Sequence, residues 1–259
     1  MSEIEETAKA TQEIAKTVNN ALEKAEKAGT FMAKYIDAPL SEITGIWNDK
    51  LKYRRWENQL NFWIKANKKL KDLGLENPSK ELPLKLGLPL IEAVSLEEND
   101  ELQELWANLL VNSSTEFTLE RSYISVLEQL SSLEVNILIT IYSTISFDEK
   151  KGYKITTIDL PNKIDYTEKT IIEVNDEWHD IFNFTPTQAE EKIVIDMRKP
   201  KIPKIPVEPK EMVRLALSNL TRLQCIIPVL QVTGEEQFAL VNPTLFGAKL
   251  YEAVKEPKK

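Results

Sequence analysis

The most regular helical pattern of the chain lies in residues 87–130, GLPLIEAVSLEENDELQELWANLLVNSSTEFTLERSYISVLEQL. Ser95 and Glu98 have the spacing of a capping box, in which each side chain bonds the other residue's free backbone N–H, and this predicts a helix start. Farther along, large apolar side chains recur at helical spacing: Leu102, Leu105, Trp106, Leu109 and Leu110. Such a stripe predicts a helix that is buried along one side.

Two more helices are predicted on the C-terminal side of this one. Apolar residues recur through 119–130 after a short connection, which favours an antiparallel helix pair. Ser131 and Glu134 repeat the capping-box spacing before an apolar segment, 137–145, and indicate another helix start.

The residues before the stretch predict a long helix and a connector. Pro39 suits the first turn of a helix and Gly74 suits its end, so we expect one helix between them. Pro83, Gly87 and Pro89 interrupt the segment that follows. We therefore expect a packed connector that contains only short helical turns.

Charge is unevenly distributed around these helices. Between Asp49 and Asp72 there are eight Lys or Arg and three Asp or Glu, which is 8 − 3 = +5, and between Glu92 and Glu104 six acidic residues give −6. A basic segment is thus followed by an acidic one, and we expect the two to face each other or solvent.

The long basic helix also carries aromatic residues, and its candidate membrane or partner surface consists of Trp47, Lys52, Arg54, Arg55, Trp56, Trp63, Lys68 and Lys69. Aromatics among basic residues are typical of a membrane-surface helix or a single-strand nucleic-acid platform. The alternative is that the tryptophans are core residues and that the basic side chains extend past them to water.

The C-terminal residues predict a winged-helix-like unit. A helix is expected at 211–226, two strands joined at 233–236, and a closing helix at 245–254 whose cap includes Thr244. Proteins of this fold often place the second helix in a DNA groove, so Arg214 and Arg222 are candidate nucleic-acid contacts. The same fold also serves purely as a protein contact.

The middle of the chain predicts less regular structure. Residues 153–160 and 170–174 are β-branched and indicate short strands. Residues 197–209 have a proline at every third position from Pro200 to Pro209, which favours an extended strap that is either a stiff linker or a ligand for a proline-reading domain.

These elements predict a mainly α fold with a small β component. We expect residues 1–30 to form an N-terminal helical arm with a weak heptad seam and residues 31–130 to form a helical bundle. A winged-helix-like domain follows at 131–254, with an insertion near 150–210, and residues 255–259 are a tail.

Composition and motifs exclude several classes of function. The net charge of −8 argues against general nucleic-acid affinity, and the single cysteine and lack of a signal or spanning segment favour a cytoplasmic protein. Glycine spacing excludes a phosphate loop, and one Cys and one His exclude a zinc site. The only histidine, His179, has no marked catalytic partner, and nearby carboxylates at 173–180 are better explained as a solvated loop than as a Mg²⁺ or Ca²⁺ site. We expect no enzyme activity and no cofactor.

The stretch PLIEAVSLEENDELQELWANLLVNSS, followed by SYISVLEQLSSLEVNILITIY, resembles the bacterial Abi-alpha (abortive infection alpha) family. The similarity is strongest over Leu86–Tyr142. It extends upstream to WNDKL at 47–51 with Arg54 and Asn58, and in outline to a C-terminal pattern at 217–253. It implies a role in bacterial defence against phage and transfers no catalytic residue.

Three hypotheses follow from the residues and the resemblance together. The first is a non-enzymatic defence sensor or effector that acts through protein contacts, with a protein partner, self-association or a phage-derived trigger. The second is a membrane-perturbing effector that uses the helix at 47–73. The third is a winged-helix regulator that binds nucleic acid through Arg214 and Arg222.

Overall fold

The computed structural model describes residues 50–75, 82–115, 118–170, 207–232 and 235–258. In chain order they form α1 (Lys50–Asp72), α2 (Leu84–Leu96), α3 (Asp100–Thr115), α4 (Arg121–Leu127), α5 (Ser132–Thr144), β1 (Lys151–Thr156), β2 (Tyr166–Thr170), α6 (Glu211–Arg222), β3 (Ile226–Val232), β4 (Glu235–Pro243) and α7 (Leu245–Val254). The fold is mainly α with a small antiparallel sheet, as the sequence predicts.

The chain divides into two compact units. One comprises the residues up to Ser132 together with Glu252–Lys259, and the other is Leu133–Tyr251. In the first unit α1 contacts α2 and α3. Helix α1 ends where the sequence predicts, because Gly74 has a φ of +77° and Leu75 N donates to Leu70 O. This is the left-handed glycine end that terminates many helices.

Helix α3 is the centre of the first unit. The predicted stripe from Leu102 to Leu110 is confirmed, and Trp106 is 1% exposed. Eleven of the 16 residues of α3 are buried, so the helix is enclosed on almost every side rather than along one stripe. A helix this enclosed determines how its neighbours pack, since their side chains must fill the space around it.

The capping box predicted at Ser95 is wrong. Ser95 lies inside α2, fully buried, and its hydroxyl donates to Glu92 O at 2.7 Å. Helix α3 instead begins at Asp100, and Asn99 Oδ1 accepts from Leu102 N at 3.0 Å. Asparagine is as good a cap as serine, and here it lies one turn later.

The predicted connector of short helical turns is also wrong, because Leu84–Leu96 is one continuous helix that contains Pro89. Proline removes one backbone hydrogen bond from a helix and disfavours its interior. Packing offsets this cost here, since Leu90, Ile91 and Val94 of α2 are all buried.

The second unit contains a sheet with strand order β2–β1–β4–β3, all antiparallel. The predicted hairpin is confirmed by the pairing of Ile227 with Asn242 and of Val232 with Glu235. The predicted closing helix at 245–254 is present, and Gly247 N donates to Thr244 Oγ1 at 3.0 Å, as expected for a capping threonine. Helix α6 ends at Arg222, earlier than predicted, and Gln224 has a φ of +59°.

Several sequence predictions fall outside the described residues. They are the arm at 1–30, Trp47 and the start of the long helix, the strand at 171–174, His179 with the carboxylates at 173–180, and the proline strap up to residue 206.

Candidate interaction surfaces

A seam of ion pairs joins the basic helix α1 to the acidic residues of α3. Lys65 Nζ lies 2.6 Å from Glu104 Oε1 and 2.9 Å from Asp100 Oδ1, and Lys69 Nζ lies 2.8 Å from Glu104 Oε2. Lys69 also lies 3.6 Å from Glu256. The sequence-based expectation was that the basic and acidic segments face each other or solvent, and at this seam they face each other.

The seam shifts the pKa values of Lys65 and Glu104 in opposite directions. Burial alone would raise the pKa of Glu104, but the hydrogen bonds and charges of Lys65 and Lys69 outweigh burial and lower it. Burial alone would lower the pKa of Lys65, but Glu104 and Asp100 outweigh it and raise the pKa. Each partner therefore stabilises the charged form of the other.

A second contact joins α1 to α2 at Ser95. Arg55 Nε donates to Ser95 Oγ at 3.0 Å, and Asn58 Nδ2 donates to Ser95 O, also at 3.0 Å. Arg54 forms an exposed two-bond pair with Glu98, with nitrogen–oxygen distances of 3.1 and 3.2 Å. The basic side chains at this end of α1 are thus engaged within the first unit.

The other candidates on α1 divide between core and solvent. Trp56 and Trp63 are 6% and 3% exposed, so their rings contact protein rather than solvent. Lys52 and Lys68 are exposed. Trp47 lies outside the described residues, and among the described members of this candidate surface the side chains that solvent reaches are basic rather than aromatic.

Two asparagines of α3 bind the backbone of residues 253–255, which belong to the first unit. Asn108 Nδ2 donates to Val254 O at 2.8 Å, and Asn112 Nδ2 donates to Ala253 O and Lys255 O, both at 2.9 Å. The last carbonyls of a helix have no partner within it, and these amides supply one. The asparagines of the WANLLVN segment thus cap α7 from the side.

An apolar row lies on the outer face of α2. Leu84, Leu88 and Leu96 are 66%, 54% and 66% exposed, and the charged residues beside them, Lys85 and Glu92, are exposed as well. At 100° per residue these five positions fall within an arc of about 120°. Single exposed leucines are ordinary, but three on one helix face are typical of a contact surface.

Helix α6 of the second unit displays both candidate nucleic-acid residues. Arg214 and Arg222 are exposed, and Arg222 donates from Nε and Nη2 to Asn219 Oδ1 at 3.1 and 2.6 Å. Met212 and Leu215 on the same helix are 68% and 61% exposed. The exposed side of α6 therefore carries both basic and apolar side chains, with Met212 and Leu215 near Arg214 in the chain.

The second unit also contains a buried hydrogen-bond centre at Tyr142. Its hydroxyl donates to Cys225 O at 2.5 Å and accepts from Thr244 N at 2.9 Å. Gly247 lies against this hydroxyl so closely that a Cβ there would overlap both Tyr142 Oη and Cys225 O. Burial raises the pKa values of the Tyr142 hydroxyl and of the Cys225 thiol, the latter to about 12.

Sequence reasoning missed three of these features. The leucine row of α2 has a spacing of four and then eight residues, and these positions share one face only because the segment is a single continuous helix. The contacts of Asn108 with Val254 and of Tyr142 with Gly247 span 146 and 105 positions along the chain (254 − 108 and 247 − 142). No local pattern signals such distant contacts.

Within the described residues, no helix is long and apolar enough to cross a membrane. The same part of the chain holds no group of three or more His, Cys, Asp or Glu side chains arranged to bind a metal ion.

The model of the abortive infection alpha family matches residues 56–254, more than half of the chain. The chain belongs to the abortive infection alpha family. No curated protein and no solved structure matches it.

Proposed function

We propose that this member of the abortive infection alpha family acts through protein contacts, as a sensor or an effector, and performs no catalytic step of its own. The observation that carries the proposal is the leucine row of α2, because Leu84, Leu88 and Leu96 are all more than half exposed on one helix face. Exposed apolar side chains lower the solubility of a protein, and polar residues at these positions would not disturb the core. Three exposed leucines on one face therefore favour a binding role for that face.

The helices behind the row suit such a role. α2 is fixed on α1 by Arg55 and Asn58 through Ser95, and α1 is in turn fixed on α3 by the Lys65–Glu104 pair. The row therefore lies on a preorganised support, which lowers the entropic cost of binding.

The test is a phage plating assay on cells that express the full chain. Leu88→Glu introduces a charge in the middle of the row and should abolish protection, while Asn136→Glu, an exposed helical position of the second unit, should leave it intact. Equal thermal stability of the two variants excludes unfolding as the cause. Full protection by a folded Leu88→Glu variant would refute the proposal.

Nucleic-acid binding through α6 is the second candidate. It is favoured by the position of α6 immediately before the β3–β4 hairpin and by the exposure of Arg214 and Arg222. Replacement of both arginines by alanine should then abolish protection and a salt-dependent shift of a DNA probe in a gel. The absence of any shift for the wild-type chain at low salt would exclude this candidate.

The membrane hypothesis has weaker support. Of the aromatic side chains proposed to enter a bilayer surface, the two that the structure describes, Trp56 and Trp63, are buried. Sedimentation with anionic vesicles is the direct measurement for the exposed basic residues of α1, among them Lys52 and Lys68.

A further inference from the structure

The partner of the leucine row can be derived from the charges that flank it. Lys85 and Glu92 lie seven residues apart, so they lie on the same side of the α2 face, separated by only about 20° of rotation. Both side chains are exposed, and neither has an ion-pair partner among the described residues. The face therefore presents one unpaired positive and one unpaired negative charge beside three leucines.

This pattern is complementary to itself in one orientation. A two-fold axis between positions 88 and 89, perpendicular to the helix, lies about 3.5 residues from Lys85 and from Glu92. It therefore places Lys85 of each copy opposite Glu92 of the other copy, so the dimer contains two such ion pairs. The same axis brings Leu88 close to Leu88 of the second copy, because position 88 lies only half a residue from the axis. Leu84 and Leu96 lie on opposite flanks of this contact.

The opposite orientation is unfavourable. A parallel pair of α2 helices would place each residue against its own copy, so Lys85 would face Lys85 and Glu92 would face Glu92 in the second copy. Like charges in contact cost energy and direct association away from that arrangement. The charges thus select the antiparallel pair.

We infer that the α2 face, Leu84, Lys85, Leu88, Glu92 and Leu96, binds the same face of a second copy of this chain as an antiparallel helix pair. The inference rests on the proposed function, because it names the partner of the contact proposed there. One helix pair is a small interface, so the dimer is weak, with a dissociation constant of about 1–100 μM. Such a constant makes assembly depend on the local concentration of the protein.

The test is the mass of the full chain by sedimentation at concentrations up to about 100 μM. The wild type should approach twice the 29.7 kDa monomer mass. Lys85→Glu or Glu92→Lys alone should weaken the dimer at least about tenfold by placing like charges together. The double variant Lys85→Glu/Glu92→Lys exchanges the charges and should restore the dimer, which a merely destabilising effect would not do.

A disulfide provides a second measurement. The native Cys225 is buried, so the thiol introduced by Leu88→Cys is the one that a reagent can reach in this variant. In the proposed dimer this thiol lies close to the two-fold axis. Mild oxidation should cross-link it rapidly, whereas Lys68→Cys, an exposed position on α1, should cross-link slowly.

Three results would overturn the inference. They are a monomer at every concentration, a dimer that is insensitive to Leu88→Glu and to both charge variants, and equal cross-linking of the two cysteine variants.

Failure of the dimer and failure of the proposed function are distinguishable. If the wild-type chain is monomeric but a folded Leu88→Glu variant loses protection, the face binds a different protein and the proposed function stands.

Discussion

The side-chain amide of Asn108 donates to the carbonyl oxygen of Val254, 146 positions further along the chain (254 − 108), at 2.8 Å. Asn108 is 5% exposed, and its Oδ1 is buried without a hydrogen-bond partner among the described residues. The side chain therefore contributes through its Nδ2 group alone. The helix that provides the core of the first unit thus also holds the end of the C-terminal helix.

Replacement of Asn108 by alanine should lower the free energy of unfolding by about 1–3 kcal/mol, because Val254 O loses its side-chain donor in a buried setting. Denaturation in urea measures the change. Asn112→Ala is the matched control, since Asn112 is only part-buried and its loss should cost less. A larger loss for Asn112 than for Asn108 would contradict this account of the cap.

The two glycines Gly247 and Gly74 should respond differently to alanine. At Gly247 the new Cβ would overlap Tyr142 Oη and Cys225 O, so we expect a loss of about 3 kcal/mol or more. At Gly74 nothing lies within 4 Å, and only the φ of +77° opposes alanine, which costs about 1 kcal/mol. Thermal melts of both variants test the order, and a more stable Gly247→Ala than Gly74→Ala would refute the close approach.

The Glu104 pair should contribute to stability in a defined pH range. Because the folded-state pKa of Glu104 is below its ordinary value of 4.5, its contribution is fully present above about pH 4.5 and is lost as pH falls through the folded value. Because the folded-state pKa of Lys65 is raised above its ordinary value of 10.5, the contribution of Lys65 to stability is fully present below about pH 10.5. It is lost as the pH rises through the folded-state value.

Glu104→Gln should therefore lower the free energy of unfolding by about 1 kcal/mol near pH 7 and by much less near pH 3, where the wild-type carboxylate is itself protonated. Urea denaturation at the two pH values gives the comparison. Glu98→Gln should change little at either pH, because the Arg54–Glu98 pair is exposed. An equal loss for Glu104→Gln at both pH values would show that the charge is not the cause.

The thiol of Cys225 should be almost inert in the folded protein. Burial, with a smaller effect of the Glu134 charge, raises its pKa from 9.0 to about 12. At about pH 8 the thiolate fraction is then about 1,000-fold lower than for an ordinary cysteine. A disulfide reagent should react with it only after unfolding in urea, whereas the Leu88→Cys thiol should react at once. Rapid reaction of native Cys225 would contradict its burial.

Local patterns were sufficient for much of the fold. The stripe from Leu102 to Leu110, the end at Gly74 and the β3–β4 hairpin depend on neighbours in sequence, so spacing alone predicted them. The prediction at Ser95 is wrong because its spacing to Glu98 is that of a cap, while its hydroxyl donates to Glu92 O in the same helix and its other partners, Arg55 and Asn58, lie on α1.

The interaction surfaces were harder to predict for the same reason. The basic and acidic segments were readable from charge, but the assignment of Lys65 and Lys69 to Glu104 required the packing of α1 on α3. The leucine row was hidden because Pro89 argued against a continuous helix, and tertiary packing overrides that propensity.

Phage plating with the charge variants of α2 tests the central claim most directly, because Lys85 and Glu92 are exposed and their replacement leaves the core unchanged. Cells that express Lys85→Glu or Glu92→Lys should lose protection, and cells that express the double variant should regain it, in parallel with the dimer measured in vitro. Protection that is equal in the wild type, both single variants and the double variant would contradict the account.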